Sequence, residues 1–241
     1  MYALEIKNLT KQYKDKTAVD NLSLTVKRGE FFGLLGQNGA GKSTTIHCTT
    51  GVAKITEGNI TVMGHDVQAE YQQARDAVGL SPQDFNVDIF AKIEHSLDYV
   101  GGYFGMPKEK RKERINELFK LLGLEEFRGK AFQELSGGYK RRYMLARALM
   151  HNPDVLILDE PSAGIDVEQR LALWEYLRTL HGQGKTIILT SHYLEEVEKL
   201  CDRVAVIHKG KLIADMTKAE FTQNGNTLEE TYLKLTKEAK V

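Results

Sequence analysis

Phe31-Phe32-Gly33-Leu34-Leu35-Gly36-Gln37-Asn38-Gly39-Ala40-Gly41-Lys42-Ser43-Thr44 passes from an apolar block, through a glycine-rich turn, into a segment free of helix breakers. Residues 31–35 read as a buried strand and 42–50 as a helix. Between them, Gly36, Gly41, Lys42 and Ser43 fit the phosphate-binding P-loop pattern, G-x-x-x-x-G-K-[ST], in the strand-to-helix setting it requires. The residue types explain the chemistry. Glycines, with Asn38 and Ala40 among them, let the backbone curl so that successive N–H groups face one phosphate chain, and the helix N-terminus adds positive partial charge. Lys42 is placed to reach the β- and γ-phosphates and the Ser43 hydroxyl to bind Mg²⁺, while Thr44 extends the helix start.

Downstream, Val155-Leu156-Ile157-Leu158-Asp159-Glu160-Pro161 is an apolar run ending in two adjacent carboxylates. A buried strand followed by a helix cap explains the apolar run but not the acidic pair. In a phosphoryl-transfer site Asp159 holds the hydrated metal, and Glu160 orients or deprotonates the attacking water. Adjacent strand residues point to opposite faces, so both acids reach one phosphate only if the strand ends between them. Pro161, which lacks a backbone donor and has a fixed φ, enforces that break.

Working outward, residues 22–26, 59–63 and 77–80 read as strands. From 84 to 152 the texture turns helical: Ile115, Leu118, Phe119 and Leu122 fall at i, i+3, i+4 and i+7, and Pro107 is placed to open that helix. Apolar runs return at 155–158, 186–190 and 204–207, separated by helical segments 166–181 and 192–200. That alternation is the crossover unit of a parallel sheet. Residues 208–211 read as a hairpin turn, and 217–241 as two short helices joined at Asn224-Gly225-Asn226.

Composition narrows the function. The 241 residues suggest one large domain or one domain with an insertion. With 33 basic and 33 acidic residues there is no excess charge to argue for nucleic acid as a partner. Cys48 and Cys201 lie far apart with no metal-ligand spacing, which disfavours zinc or a disulfide framework. The longest stretch without a charged residue or histidine is 31–41, too short beside the roughly 20 residues of a spanning helix, so a cytoplasmic location is expected.

Leu135-Ser136-Gly137-Gly138-Tyr139-Lys140-Arg141-Arg142, just before the acidic strand, resembles the signature sequence of ATP-binding-cassette (ABC) ATPases. The same residues also read as a Ser136 N-cap with glycines opening a helix. The resemblance extends over roughly residues 4–208. It implies an α/β fold: a P-loop NTPase (RecA-like) core with an N-terminal antiparallel β-subdomain and an inserted α-helical subdomain. The core and β-subdomain would take 1–83 and 153–215, the helical subdomain 84–152 and a helical tail 216–241. It further implies ATP with Mg²⁺ as ligand. Tyr13 would stack on adenine, Gln83 would touch Mg²⁺ and water beside Ser43 and Asp159, and His192 would contact the γ-phosphate beside the catalytic Glu160. Ser136, Gly137 and Gly138 would complete the site of a second copy, in a homodimer or paralogous heterodimer, and Asp166 would close the loop through which the copies communicate. Two positions depart from the family pattern: Tyr139 replaces the usual glutamine and Ala163 the usual serine.

The resemblance also implies a separate integral-membrane permease whose cytoplasmic helix docks in a groove lined by residues 84–104. That would make the chain peripheral on the inner face of the cell membrane. Tyr103-Phe104-Gly105, Lys140-Arg141-Arg142, Ala163-Gly164 and residues 228–236 are similar to the bacterial exporter branch that moves drugs, polysaccharides or lipids. The alternatives are an importer ATPase, a soluble ABC ATPase acting on DNA or ribosomes, and a metabolic kinase. A soluble ABC ATPase calls for a long coiled-coil insertion or a second cassette, and neither is in the sequence. The basic run at 108–114 reads as a solvated helix face.

Overall fold

The computed structural model describes residues 1–222 and 227–239. Strands β1 (Tyr2–Tyr13), β2 (Lys16–Lys27) and β3 (Phe31–Leu35) lead into helix α1 (Lys42–Thr49). Then come β4 (Glu57–Val62), β5 (His65–Asp66), α2 (Tyr71–Asp76) and β6 (Val78–Ser81). The middle holds α3 (Ile93–Tyr103), α4 (Lys108–Leu122), two 3₁₀ turns and α5 (Gly137–Leu149). Next are β7 (Val155–Asp159), α6 (Val167–Gly182), β8 (Thr186–Ser191), α7 (Leu194–Leu200), β9 (Arg203–His208) and β10 (Lys211–Thr217). Helices α8 (Lys218–Phe221) and α9 (Leu228–Glu238) follow.

Strands β2-β1-β4-β5 form one antiparallel sheet, and β10-β9-β3-β8-β7-β6 a second that is parallel apart from the β9–β10 hairpin. The apolar runs are continuous because both faces of the second sheet are covered. Side chains alternate along each strand, so Phe31, Leu35, Leu156, Leu158, Ile187 and Leu189 enter a core shared with α3 to α7. Their neighbours Phe32, Leu34, Val155, Ile157 and Ile188 enter a second core under the antiparallel sheet. Burying each such side chain contributes about 1.5–3 kcal/mol. The phosphate loop leaves the C-terminal edge of β3, beside the ends of β7 and β8, where open α/β sheets bind ligands.

The structure shifts several expected boundaries. The strand expected at 59–63 starts at Glu57 and stops at Val62, because Met63 and Gly64 both adopt positive φ (52° and 93°) in the β4–β5 turn. Residues 82–92 are not helical: Lys92 bridges Ala131, and the Gln133 amide donates to Ile89 O at 3.0 Å. The helix expected from 166 has Asp166 as its N-cap, accepting from Gln169 N at 2.9 Å. His192 precedes α7 in a turn closed by Tyr193 N onto Ser191 Oγ at 3.0 Å. In the tail, capping boxes at Thr217/Glu220 and Thr227/Glu230 start α8 and α9. The expected junction at 224–226 lies outside the described residues. Among the described residues no helix is long and apolar enough to cross a membrane.

Candidate functional site

The loop after β3 is shaped by close backbone approach. Gly41 has φ +115°, and a side chain there would meet Ala18 O at 2.7 Å; one at Gly36 would meet Ile207 O at 2.6 Å. Ala40 is held by Gly210 N, which donates to its carbonyl at 2.8 Å. Helix α1 has no side-chain cap and no acid in its first turn, so its leading N–H groups remain available to an anion. Lys42, 4% exposed, folds back over the loop and donates to Gly36 O at 2.7 Å and Gln37 O at 3.3 Å.

A cavity of about 450 Å³ gathers Tyr13, Asn38, Gly39, Gly41, Lys42, Ser43, Thr44, Gln83 and Glu160. Lys16, Ala18 and Gln37, not singled out from sequence, share its wall. Gly36, buried Ala40 and buried Asp159 lie outside that lining and shape it from behind. Tyr13, at the end of β1, is half-exposed, with Lys11 Nζ 4.5 Å above its ring.

The two carboxylates separate at the end of β7. Strand β7 ends at Asp159, and Glu160 takes a left-handed conformation (φ +49°) that turns it toward the loop. Glu160 Oε1 lies 3.5 Å from Lys42 Nζ, and Oε2 lies 3.0 Å from His192 Nδ1 and accepts from Gln83 Nε2 at 3.3 Å. A glutamine, a lysine and a histidine from three distant segments thus converge on one carboxylate. Thr190, on β8, holds both acids: its hydroxyl donates to Asp159 Oδ1, while Glu160 N donates to Thr190 O and Oγ1, each at 3.1 Å. Ser43, Gln83 and Asp159 offer a hydroxyl, an amide and one carboxylate, the sparse oxygen set that Mg²⁺ takes together with waters and phosphate oxygens. Among the described residues no group of three or more His, Cys, Asp or Glu gathers to hold a metal by itself.

Ser136, Gly137 and Gly138 are not brought to this cavity. Ser136 stands at the expected N-cap position of α5, with Gly137 opening the helix, but its side chain makes no capping bond. Ser136 and Gly137 are exposed. Gly138 is buried where a side chain would meet Gln169 at 2.6 Å. Tyr139, in place of the usual glutamine, packs within its own chain, its ring 4.2 Å from Phe127 with Arg142 5.0 Å above it.

Arg141 is a contributor that the sequence reading did not single out. It donates to Gln83 O at 2.7 Å and to Pro82 O and Ala163 O, each at 3.3 Å, and lies 4.6 Å over Phe85. Burial pushes its pKa down, against the pull of Asp84, Asp159 and Glu160. Its only sequence signal is membership of a basic triplet, which does not say which member turns inward.

A second cavity, about 660 Å³ and mainly apolar, opens between the helical segment and the sheet. Val87, Tyr99, Val100, Tyr103 and Phe104 supply one wall, as expected from residues 84–104. The opposite wall, which includes Val52, Arg75 and Leu80, was not anticipated. Three members of the basic run on α4 are paired: Arg111 with Asp98, Lys110 with Glu113 and Arg114 with Glu117.

The family model described as ABC transporter matches residues 19–163. The chain is 43% identical over 212 residues to the Nod factor export ATP-binding protein I of Burkholderia orbicola (strain AU 1054), covering 88% of this chain and 70% of that protein. It is 45% identical over 213 residues to the protein of that name in Rhizobium sp. (strain N33), with the same coverage. Among solved structures it is similar to an ATP-binding subunit of an ABC transporter, with TM-score 0.89 and 28% identity over 97% of this chain and 99% of that one. It is also similar to a dimeric ATP-binding cassette in a post-hydrolysis state bound to ADP and Pi, with TM-score 0.82 and 26% identity over 89% of this chain and 98% of the other.

Proposed function

The chain belongs to the ABC transporter family and binds and hydrolyses ATP, and from that premise we propose that it powers export through a separate integral-membrane permease. Two copies, identical or paralogous, close head to tail on two ATP molecules. The observation that carries this reading is the split arrangement: Lys42, Gln83, Glu160 and His192 converge, whereas Ser136 and Gly137 stand exposed away from them, with the Ser136 hydroxyl making no capping bond.

In the closed pair, Tyr13 stacks on the base, and the N–H groups of residues 38–44 with Lys42 hold the phosphates. Ser136, Gly137 and Gly138 of one copy cover the terminal phosphate held by the other. Glu160 accepts a proton from the attacking water, and Gln83 and His192 position that water and the γ-phosphate. Ser43, Gln83 and Asp159 would hold Mg²⁺, which would supply neutralisation of phosphate charge. Residues 1–83 and 153–215 act as the nucleotide-binding body, 84–152 as the arm that presents Ser136, and 216–241 as a tail. The apolar groove beside Tyr99 and Tyr103 receives a cytoplasmic helix of the permease, which places the chain at the inner face of the cell membrane. Export as the direction is supported by the names of the Burkholderia and Rhizobium relatives.

Glu160→Gln keeps ATP binding but stops turnover, so the variant is dimeric by size exclusion in MgATP and monomeric in ADP. A monomer in MgATP refutes the head-to-tail site. Recovery from solubilised membranes with an import permease refutes the direction.

A further inference from the structure

Glu196 is a buried carboxyl with no role in the site assembled so far, yet it touches both of its sides. It lies on α7 with 0% exposure. Oε1 accepts the Ser162 hydroxyl and the Trp174 indole N–H at 3.2 Å, and Oε2 accepts the Ser191 hydroxyl at 2.7 Å. Ser162 sits two residues beyond Glu160, inside the turn that Ala163 N closes onto Glu160 O at 3.1 Å. Ser191 immediately precedes His192, and its Oγ also accepts from Tyr193 N at 3.0 Å. The residues flanking His192 are therefore tied to one hydroxyl, and that hydroxyl is tied to Glu196.

Packing alone does not account for a carboxyl here. An apolar side chain of similar length fills the same space without desolvating an acid. Burial pushes the Glu196 pKa up, and the bonds from Ser162, Ser191 and Trp174 oppose that shift, so several polar groups are ordered around a group that is costly to bury. Such networks hold one arrangement when every member is satisfied.

We propose that Glu196 is a positioning residue for ATP hydrolysis: one carboxyl clamps the turn after Glu160 to the loop carrying His192 and so sets the 3.0 Å approach of His192 Nδ1 to Glu160 Oε2. The proposal rests on the reading of Glu160 and His192 as hydrolytic residues. It separates hydrolysis from ATP affinity, because ATP is held by the phosphate loop and Tyr13, which Glu196 does not touch.

The test compares Glu196→Gln, Ser162→Ala and Ser191→Ala, each alone and combined with His192→Ala, by steady-state and single-turnover hydrolysis with thermal unfolding measured alongside. Each single variant is expected to lower kcat about 3- to 30-fold while KM for ATP stays within about twofold. In the His192→Ala background the same changes are expected to alter the rate less than about twofold, since the contact they position is gone. The serine variants keep the test informative if Glu196→Gln fails to fold. Equal losses with and without His192, or kcat and KM worsening together, overturn the clamp. If His192→Ala leaves hydrolysis intact, the assignment of His192 itself fails. If His192→Ala is impaired and the clamp variants are not, only the role of Glu196 falls.

Discussion

Thr190 sits opposite Asp159 in the parallel register of β8 on β7, and its hydroxyl donates to that carboxylate. The same residue takes the Glu160 amide on its carbonyl and hydroxyl oxygens. One threonine thus fixes both the orientation of Asp159 and the point at which the chain turns to present Glu160. It is 0% exposed, so no water substitutes for it.

Thr190→Val keeps the shape and removes the donor. It is expected to destabilise the fold by about 1–3 kcal/mol, because the buried Asp159 carboxylate loses its donor, while the Glu160 N–H keeps the Thr190 carbonyl. On the proposed reading of Asp159 as a metal ligand, whose orienting groups are typically worth 10- to 100-fold, ATPase activity is expected to fall by about that factor and to need more Mg²⁺ for half-maximal rate. A Mg²⁺ titration of turnover checks this, and an unshifted Mg²⁺ requirement removes Thr190 from the metal side of the site.

Lys42→Ala is expected to abolish nucleotide binding, measured by equilibrium titration with ATP. Lys42 Nζ lies within reach of the loop carbonyls and of Glu160, so its ammonium is already at the wall of the cavity where phosphates are read to bind. His192 and Gln83 still partner Glu160 in the variant, so folding is expected to survive. Unchanged ATP affinity in a folded variant contradicts the assignment of the phosphate site.

Much of this was legible in the sequence because the signals are local. Gly36 to Ser43 carry their own geometry, and Pro161 after Glu160 announces the end of β7, which the positive φ of Glu160 completes. The alternation of Phe31 and Phe32 between two cores was implicit in an unbroken apolar run. What stayed hidden depends on residues that meet only through the fold. Thr190 reads as one more strand residue until β8 is placed beside β7. Glu196 reads as an exposed helix acid beside Glu195 until Ser162, Trp174 and Ser191 close around it. Residues 84–92 carried no periodicity to oppose the surrounding helical texture, and the pairing of 89–93 with 130–133 is long-range.

Arg141 reaches Pro82, Gln83 and Ala163 from α5, so it ties the segment that carries Ser136 to the loops on either side of Glu160. Arg141→Ala is expected to cost about 3 kcal/mol by chemical denaturation, since a charged donor and its stacking over Phe85 are lost from a buried place. Arg141→Lys is expected to recover only part of that, because a single ammonium does not reproduce a planar fork aimed at separate carbonyls. Full recovery by lysine shows that charge alone matters there.

His151 gives the fold a pH response of determined sign. Its ring stacks on Phe104 at 3.7 Å, and Nε2 lies 3.0 Å from Val78 O, so Nε2 carries the proton and donates. Among the described residues Nδ1 is buried without a partner, and protonating it puts a charge where none of them accepts the new N–H. Burial therefore pushes the His151 pKa below 6.5, with Lys185 and Arg114 adding to the shift and the Val78 bond and Asp76 opposing it. The unfolded chain takes up this proton more readily than the folded one. The contribution of neutral His151 is thus fully present above about pH 6.5 and is lost as the pH falls through the depressed folded value. Urea midpoints measured between pH 8 and pH 5 are expected to drop across that window in the wild-type chain. In His151→Gln, which retains a donor toward Val78 and does not titrate, the drop is expected to shrink. An equal drop in both assigns the pH response to other groups.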